Sequence, residues 1–313
     1  MANVSAAAAI RPARIPATQS ARRKHPAVAG RLPVLLLFLP PALLLFSIFV
    51  ILPMGEAAWY SLYKWDGYGL PTQYVGMRNF ELLFKNGAFL TALKNNAMIM
   101  VISILIQIPL AIWLAMMLAH RIAGVVVFRL IFFLPYVLAD VAAGLIWRFV
   151  YDGDYGLFAS IAHLLGVETP YVLADKDLAM YAVLGVIIWK YFGFHMMLFI
   201  AGLQSLDKSV LEAAEIDGAS GWQRFRYITL PLLGSTVRLS VFFAVVGSLQ
   251  LFDVIMPLTG GGPFNSTQTM VTFLFNFGVA RMQVGLGSAV GVVLFLICVT
   301  LAFSYKRIFM RHD

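Results

Sequence analysis

Long apolar runs separated by shorter polar segments dominate the pattern along the chain. A helix that crosses the hydrocarbon core of a bilayer needs about 20 predominantly apolar residues. Six segments approach that length: 32–54, 97–119, 130–150, 178–203, 232–256 and 285–305. The pattern therefore predicts an all-α, polytopic membrane protein with six transmembrane helices. Prolines at 33, 40, 41 and 53 predict kinks or a ragged start in the first of them.

Composition supports this class. The 313 residues are 61% hydrophobic and 12% charged, with a mean hydropathy of +0.84. Soluble domains carry about 25% charged residues, so a soluble core could not bury this much apolar surface. Cys298 is the single cysteine, which excludes a disulfide framework and a thiolate metal site. The five histidines lack metal-ligand spacing, and we expect no metal site.

The distribution of charge predicts the orientation. Most of the 23 basic residues, but few of the 15 acidic ones, fall in the N-terminal segment, the 120–129 loop, the 204–231 loop with Arg238, and the C-terminal tail. Lys and Arg are enriched on the cytoplasmic side of membrane proteins. We therefore expect both termini and the 204–231 loop to be cytoplasmic. The net charge of +8 is then a signal of topology, and we expect no nucleic-acid partner.

Residues 1–31 are rich in Ala and Arg and contain no acidic residue. They could belong to a transit peptide, or Arg22, Arg23 and Lys24 could form the basic start of a signal peptide. The apolar run that follows is longer than the 7–15 residues typical of a signal peptide, and no convincing cleavage site follows it. We therefore predict a disordered basic cytoplasmic tail over 1–31 and a six-span domain over 32–313.

The 204–231 loop is longer than the connection that two membrane helices need. Asp207 is a good N-cap for a first short helix, and Gly218 allows the positive φ that ends it. Ser220 caps a second helix, which Pro231 helps to end. The loop is therefore predicted to contain two short helices joined at an angle.

The second helix carries Trp222 and Phe225, which we expect to be exposed. An aromatic pair rimmed by charges is typical of a protein-docking site. The alternative is an amphipathic element on the inner leaflet. The acidic residues Glu212, Glu215 and Asp217 would be repelled by anionic lipid, which favours protein docking.

The spelling of this loop, EAA-x-x-DGA followed at its end by Leu230-Pro231, resembles the coupling loop of binding-protein-dependent ABC importer permeases. The segments 75–80, 128–147 and 258–263 resemble the carbohydrate-uptake branch, and within it the first permease of maltose-type or glycerol-phosphate-type systems. The resemblance implies that this loop docks in a cleft of a cytoplasmic ATPase. The residues it assigns to ATPase coupling are Glu212, Ala213, Ala214, Asp217, Gly218 and Pro231, to which the docking argument adds Trp222 and Phe225. Asp207 stands where relatives often have proline.

The resemblance also implies the partners. They are a homologous second permease subunit, a cytoplasmic ATPase dimer that binds ATP and magnesium, a periplasmic solute-binding protein, and membrane lipid. The expected location is the bacterial inner membrane. The run Gly260-Gly261-Gly262 lacks the Lys-Ser/Thr of a phosphate-binding loop. We therefore expect no cofactor in this chain and no enzymatic activity of its own.

Lys190 is the sharpest candidate on the substrate path, because a charge within a span is costly unless it has a function. It could face the path, or it could pair with Asp140 or Asp253. By spacing from the loop, the resemblance places further path residues on two helices. These are Tyr191, Phe194, Ala244, Gly247, Ser248 and Leu251, with Gln250 as a nearby polar alternative. Aromatic faces suit the apolar faces of a sugar ring.

The sequence thus predicts the permease subunit of an ATP-driven importer that passes a sugar, polyol or related solute. One alternative is an importer permease for another solute class. A second is an ion-coupled secondary transporter, although we find no symmetry of broken helices between the two halves. A membrane-embedded enzyme has no catalytic constellation to support it.

Overall fold

The computed structural model describes residues 31–119 and 124–309, and the chain divides into two compact units, 1–53 and 54–313. Apart from Arg31, the tail predicted over 1–31 lies outside the described residues. The described part is mostly helical, with one small pair of strands.

The described part of the first unit is a continuous apolar helix. It comprises α1 (Arg31–Phe46), a π-helical turn (Ser47–Ile51) and the start of α2 (Leu52–Tyr60), which continues into the second unit. The helix runs through Pro40 and Pro41 without a break. None of the residues in its most apolar stretch of 18 residues is buried.

The second unit begins with a two-stranded antiparallel hairpin, β1 (Tyr63–Lys64) and β2 (Gln73–Tyr74), in which Tyr63 faces Tyr74. The remaining elements follow in chain order: α3 (Arg78–Lys85), α4 (Gly87–Ile102), a π turn (Ser103–Gln107), α5 (Ile108–Ala119), α6 (Val125–Val137), α7 (Asp140–Val150), α8 (Leu157–Leu165), α9 (Ala179–Gln204), α10 (Lys208–Ile216), α11 (Gly221–Arg224), a π turn (Phe225–Thr229), α12 (Leu230–Leu232), α13 (Gly234–Gln250), α14 (Ile255–Thr259), α15 (Met270–Phe273), a π turn (Leu274–Val279) and α16 (Val284–Phe309).

Four helices are long and apolar enough to cross a membrane, and they match the first, second, fourth and sixth predicted spans. These helices are Val34–Tyr60, Gly87–Ala119, Ala179–Gln204 and Val284–Arg307. The other two predicted spans are not single helices. The count among the described residues is therefore four spans, or six if each bent pair described below is one span.

The predicted span over 130–150 is a pair of helices, α6 and α7, that meet at 98°. The break lies at Leu138 and Ala139, whose ψ angles of 142° and 137° are not helical. Pro135 removes one backbone donor from the last turn of α6. A chain of apolar residues thus changes direction in the middle of a predicted span.

The predicted span over 232–256 is shorter in the structure, and a second bend precedes it. The helical stretch Gly221–Leu232 meets α13 at 69°, with Leu233 between them. The helix α13 then ends at Gln250, because Leu251 is extended. The chain turns there, and the short helix α14 follows. The prediction that the helix continues to 256 is therefore wrong.

Three of the π turns share one sequence feature. In each, the residue after the turn donates its N–H to a carbonyl five residues earlier: Leu52 to Ser47, Ile108 to Ser103, and Leu230 to Phe225. A proline follows at once, at positions 53, 109 and 231. The ring of a proline clashes with the carbonyl four residues before it, and widening the preceding turn relieves that clash.

The helix α9 lies at the centre of the second unit. In its most apolar stretch of 18 residues, 61% of the residues are buried. One core cluster packs its first half against α4, α7, α14 and the segment after α13, and a second packs its latter half against α5 and α13. A third cluster joins α3, α4, α15 and α16. Two of the three clusters thus form around one helix.

Candidate functional site

Lys190 lies in the middle of α9 and is 1% exposed. Its Nζ donates to the carbonyl oxygens of Pro135 at 3.0 Å and Tyr136 at 3.3 Å, and also to that of Leu138. These carbonyls close α6, where no further helical turn supplies a donor. The lysine therefore takes the place of the missing backbone donors at the break.

The same ammonium group forms an ion pair with Asp140, with Nζ and Oδ1 2.9 Å apart. Asp140 is the first residue of α7. Of the two roles that the sequence left open for Lys190, this geometry matches pairing with Asp140. The lysine joins the end of α6 to the start of α7.

Gly193, one turn further along α9, allows α6 to approach closely. A Cβ at this position would lie 2.1 Å from the carbonyl oxygen of Phe132. Only a residue without a side chain fits so close to a neighbouring backbone. Gly193 and Lys190 together hold α6 against α9.

A cavity of about 490 Å³ lies beside this break. It is lined by residues of α4, the π turn that follows α4, α6, α7, α9, α13 and the segment after α13. They are Ile99, Ser103, Gln107, Tyr136, Asp140, Ile187, Tyr191, Phe194, His195, Phe243, Ala244, Gly247, Ser248, Gln250, Leu251, Phe252 and Asp253. The volume is within the range of small-molecule sites.

Seven of the eight residues predicted for the substrate path line this cavity: Tyr191, Phe194, Ala244, Gly247, Ser248, Gln250 and Leu251. The eighth, Lys190, lies behind the wall. The spacing argument therefore selected two helix faces that meet at one cavity.

Aromatic rings form one part of the wall. The rings of Tyr136 and Phe194 are stacked, with centroids 5.0 Å apart, and Phe243 meets Phe194 edge-on at 5.5 Å. The hydroxyl of Tyr191 donates to Oδ2 of Asp140 at 3.2 Å. Aromatic faces and a few fixed polar groups thus meet in the same space.

Several polar residues of the wall were not predicted as path residues. Gln107 is 2% exposed, and its Oε1 has no hydrogen-bond partner among the described residues. Nδ1 of His195 lies 2.7 Å from Oγ of Ser240. Asp140 and Asp253 were noticed in the sequence only as possible partners of Lys190. A signal for Gln107 was available, since it is a polar residue in the predicted span 97–119, which contains no charged residue.

Two asparagines of α4 bind the backbone of later segments, Asn96 at the end of α13 and Asn95 in the segment before α15. Nδ2 of Asn96 donates to the carbonyl oxygen of Ser248 at 2.5 Å, and its Oδ1 accepts from the N–H of Met270 at 2.9 Å. Nδ2 of Asn95 donates to the carbonyls of Ser266 and Gln268. Asn96 therefore joins the end of α13, beside the cavity, to the start of α15.

The 204–231 loop contains the two helical segments that were predicted. Oδ1 of Asp207 accepts from the N–H of Ser209 at 2.9 Å and caps α10, and this bond lowers the pKa of Asp207 below its ordinary value. Gly218 has a φ of +79°, the left-handed conformation that glycine adopts without strain. Ser220 and Gln223 form a capping box at the start of α11.

The aromatic pair differs from the prediction in one respect. Trp222 is 68% exposed, with its ring 5.5 Å from that of Phe225. Phe225, however, is partly buried, because it packs against the core cluster of α5, α9 and α13. Trp222 thus faces outward while Phe225 holds the segment to the core.

The other residues assigned to this loop are mostly exposed. Glu212, Ala213 and Asp217 are exposed, whereas Ala214 is 7% exposed and faces inward. Pro231 was predicted to help end the second helix, but the helix does not end there. It lies within the helical stretch, which continues to Leu232, because the π turn before it accommodates the proline.

An ion pair joins the two short helices, since Nη1 of Arg224 lies 2.8 Å from Oε2 of Glu215. Both side chains are at least partly exposed, so the pair contributes about 0–1 kcal/mol. Within residues 31–119 and 124–309, no cluster of three or more His, Cys, Asp or Glu could hold a metal ion.

Comparison with known proteins gave consistent matches. Residues 107–312 match the family model described as "Binding-protein-dependent transport system inner membrane component". The diacetylchitobiose uptake system permease protein NgcF of Streptomyces coelicolor is 34% identical, over 93% of this chain and 89% of that protein. The sn-glycerol-3-phosphate transport system permease protein UgpA of Agrobacterium fabrum is 33% identical, over 88% of this chain and 94% of that protein.

Solved structures share the fold. A chain of a bacterial ABC transporter involved in the import of the acidic polysaccharide alginate matches with a TM-score of 0.77 and 23% identity, over 89% of this chain and 97% of that chain. A chain of the same kind of transporter, in complex with an alginate pentasaccharide-bound periplasmic protein, matches with a TM-score of 0.79 and 22% identity. These likenesses concern the fold.

Proposed function

Because the chain belongs to the family of binding-protein-dependent transport system inner membrane components, we propose that it is the permease subunit of an ATP-driven importer for a sugar, polyol or related solute. The observation that carries the proposal is the exposed two-helix segment with Glu212 and Trp222 on its surface. The names of the relatives, which include a diacetylchitobiose uptake system, support the solute class.

The two-helix segment is the surface for a cytoplasmic ATPase dimer. Three large side chains on it have little cover from this chain: Ile216 is 86%, Trp222 68% and Tyr227 73% exposed. Exposed apolar side chains of this kind mark protein interfaces when charges surround them. Glu212 and Arg226 supply those charges, and the acidic residues disfavour an anionic lipid surface.

The topology has six membrane crossings, of which the third is the bent pair α6 and α7 and the fifth is α13, and both termini and the 204–231 segment lie in the cytoplasm. The excess of basic residues in those segments supports this orientation. The location is then the bacterial inner membrane. ATP and magnesium bind to the separate ATPase subunit, and this chain has no cofactor.

The cavity beside the break at 138–139 forms this chain's part of the substrate path. Stacked aromatic rings and fixed polar groups on its wall support a carbohydrate, since such rings bind the apolar faces of sugar rings. A homologous second permease subunit completes the path. A periplasmic binding protein delivers the solute to the outer side.

Co-purification tests this proposal. The tagged chain is extracted from its native membrane in mild detergent, and retained proteins are identified by mass spectrometry. We expect an ATPase and a second permease. Trp222→Ala is expected to lose the ATPase while Trp113→Ala retains it, because Trp113 is similarly exposed, at 56%, but lies in the apolar helix α5.

The opposite outcome is also clear. If the chain is recovered alone and transports solute when it is reconstituted alone, the proposal is wrong. An ion-coupled secondary transporter would then be the correct function. Retention of the ATPase by Trp222→Ala would instead contradict the docking surface.

A further inference from the structure

The charges on the wall of the cavity all have one sign. Asp140 and Asp253 line it, and none of the described residues on its wall is Lys or Arg. The nearest cation described above, the ammonium of Lys190, lies behind the wall. Its donors are directed to three backbone carbonyls and to Asp140.

The two carboxylates differ in their surroundings. Oδ1 of Asp140 is paired with Lys190 and its Oδ2 accepts from the hydroxyl of Tyr191, so this carboxylate is fixed and its charge is balanced. Asp253 is exposed on the segment where α13 has ended. With histidine neutral, the wall therefore has a net negative charge, and Asp253 supplies it.

The uncharged polar groups of the wall also include a free acceptor. Oε1 of Gln107 is buried without a donor among the described residues. The hydroxyl of Ser248 donates to the carbonyl of Val245 at 2.7 Å, which leaves its lone pairs to accept. A buried acceptor without a donor is costly. A solute that donates hydrogen bonds through hydroxyl or amine groups fits this wall.

We propose that the cavity admits uncharged or cationic polyhydroxy solutes and rejects anionic ones, such as phosphorylated or carboxylated sugars. The inference rests on the proposed function and names the solute class of the same cavity. Family membership does not decide the matter, because the relatives' names include the neutral sugar diacetylchitobiose and the anion sn-glycerol-3-phosphate.

Thiol modification measures the sign of the cavity's potential without knowledge of the solute. Gly247 lines the cavity, and nothing lies within 4 Å of a Cβ placed there. Gly247→Cys is made with Cys298→Ser, so that the new thiol is the single one in this chain, whose modification is followed by the mass of this chain alone. The full-length chain, with its co-purifying subunits, is held in nanodiscs and treated with a cationic or an anionic methanethiosulfonate. Each rate of modification is divided by the rate at which the same reagent modifies the free thiol 2-mercaptoethanol.

We expect the normalised rate for the cation to exceed that for the anion by on the order of tenfold, because unit charges within a protein-lined space interact strongly. Asp253→Asn should bring the two rates closer together. Asp66→Asn, which removes an exposed carboxylate after strand β1 instead, should leave their ratio unchanged. Equal rates, or a faster anion, would overturn the inference.

Uptake by the complete importer separates this inference from the proposed function. Matched probes are glycerol with glycerol 3-phosphate, and N,N′-diacetylchitobiose with a disaccharide that contains glucuronate. Uptake of a neutral probe alone supports both claims, whereas equal uptake of its anionic counterpart overturns the charge selection and leaves the importer intact. Uptake of no carbohydrate, together with a cation-favouring thiol ratio, contradicts the sugar importer but not the sign of the potential.

Discussion

The two bends of the second unit rest on the same helix but are held by different forces. The 98° break between α6 and α7 contacts the middle of α9, where a buried ammonium group takes up three carbonyls and a carboxylate. The 69° bend before α13 contacts the end of α9. There Leu233, which is 1% exposed, packs against Gly202.

This difference shows how much can depend on one side chain. At the first bend, loss of the lysine would leave carbonyls and a carboxylate without their donor, and such groups are costly to bury. At the second bend, loss of an apolar side chain would leave a void that the neighbours can partly fill. We therefore expect the loss of one side chain to destabilise the first bend more than the second.

The largest effect is expected for Lys190→Met. Breaking a buried ion pair by removing one partner costs about 3–5 kcal/mol, and the exposed side of Asp140 places the expected loss toward the lower value. The free energy of unfolding in detergent measures it. The double variant Lys190→Met with Asp140→Asn is the control, and it should recover part of the loss. A single variant as stable as the parent would mean that the lysine does not hold the break.

Leu233→Ala tests the second bend, and a buried Leu→Ala change costs about 2–5 kcal/mol. We expect a value near the lower end, because neighbouring side chains can partly fill the void. The neighbouring change Leu232→Ala is the matched control, since Leu232 is 47% exposed and should change the unfolding free energy by less than about 0.5 kcal/mol. Equal losses for the two variants would contradict the assignment of Leu233 as the support.

Gly218→Pro tests the turn that precedes the second bend. Proline fixes φ near −65°, whereas Gly218 has φ +79° and donates its N–H to Glu215. We expect strain of about 1–3 kcal/mol confined to the turn. The protein should remain in the membrane while solute uptake is lost and ATP hydrolysis continues.

Gly221→Pro is the control for that turn, because Gly221 is the first residue of α11, a position where proline is favoured. Ser220 before it already has the extended conformation that a proline requires. This variant should transport normally. Normal uptake by Gly218→Pro would refute the role of the turn.

The smallest effect is a dependence on pH at the start of α10. The backbone N–H of Ser209 lowers the pKa of Asp207 in the folded state below 3.8. A lowered folded-state pKa stabilises the fold above the unfolded value, and the gain is lost as the pH falls through the lower one. The backbone amides of α10 should therefore be less protected from hydrogen exchange below pH 3.8 than above it.

Asp207→Asn keeps a good capping residue without a titrating group. Its exchange should lose this dependence on pH. An unchanged profile in Asp207→Asn would assign the effect to another group.

Local chemistry explains what could be predicted from the sequence. The caps at Asp207 and Ser220 and the positive φ of Gly218 each depend on neighbours within a few residues, and all three were predicted. The apolar run over 178–203 became Ala179–Gln204 because its length alone specifies a spanning helix. The chemistry of such elements is contained in the segment itself.

The bends could not be predicted, because their causes lie far apart in the chain. Lys190 is 52 residues from Leu138, and no sequence pattern near residues 138 and 139 indicates a break there. Proline is no guide, since the helix runs on through Pro40 and Pro41 but breaks after Pro135. In the cavity, the spacing argument covered two helices, so the polar groups contributed by the π turn after α4, by α7 and by the segment after α13 were missed.

The wide turn before Pro109 has a consequence for the angular phase of its helix. Ile99, Ser103 and Gln107 line the cavity at steps of four residues. In a regular α-helix each such step overshoots a full turn by about 40°, so Gln107 would drift toward another face. The turn over Ser103–Gln107 holds more residues, and the second step falls closer to a full rotation. Pro109, which does not line the cavity itself, thus keeps Gln107 on the same helix face as Ile99 and Ser103.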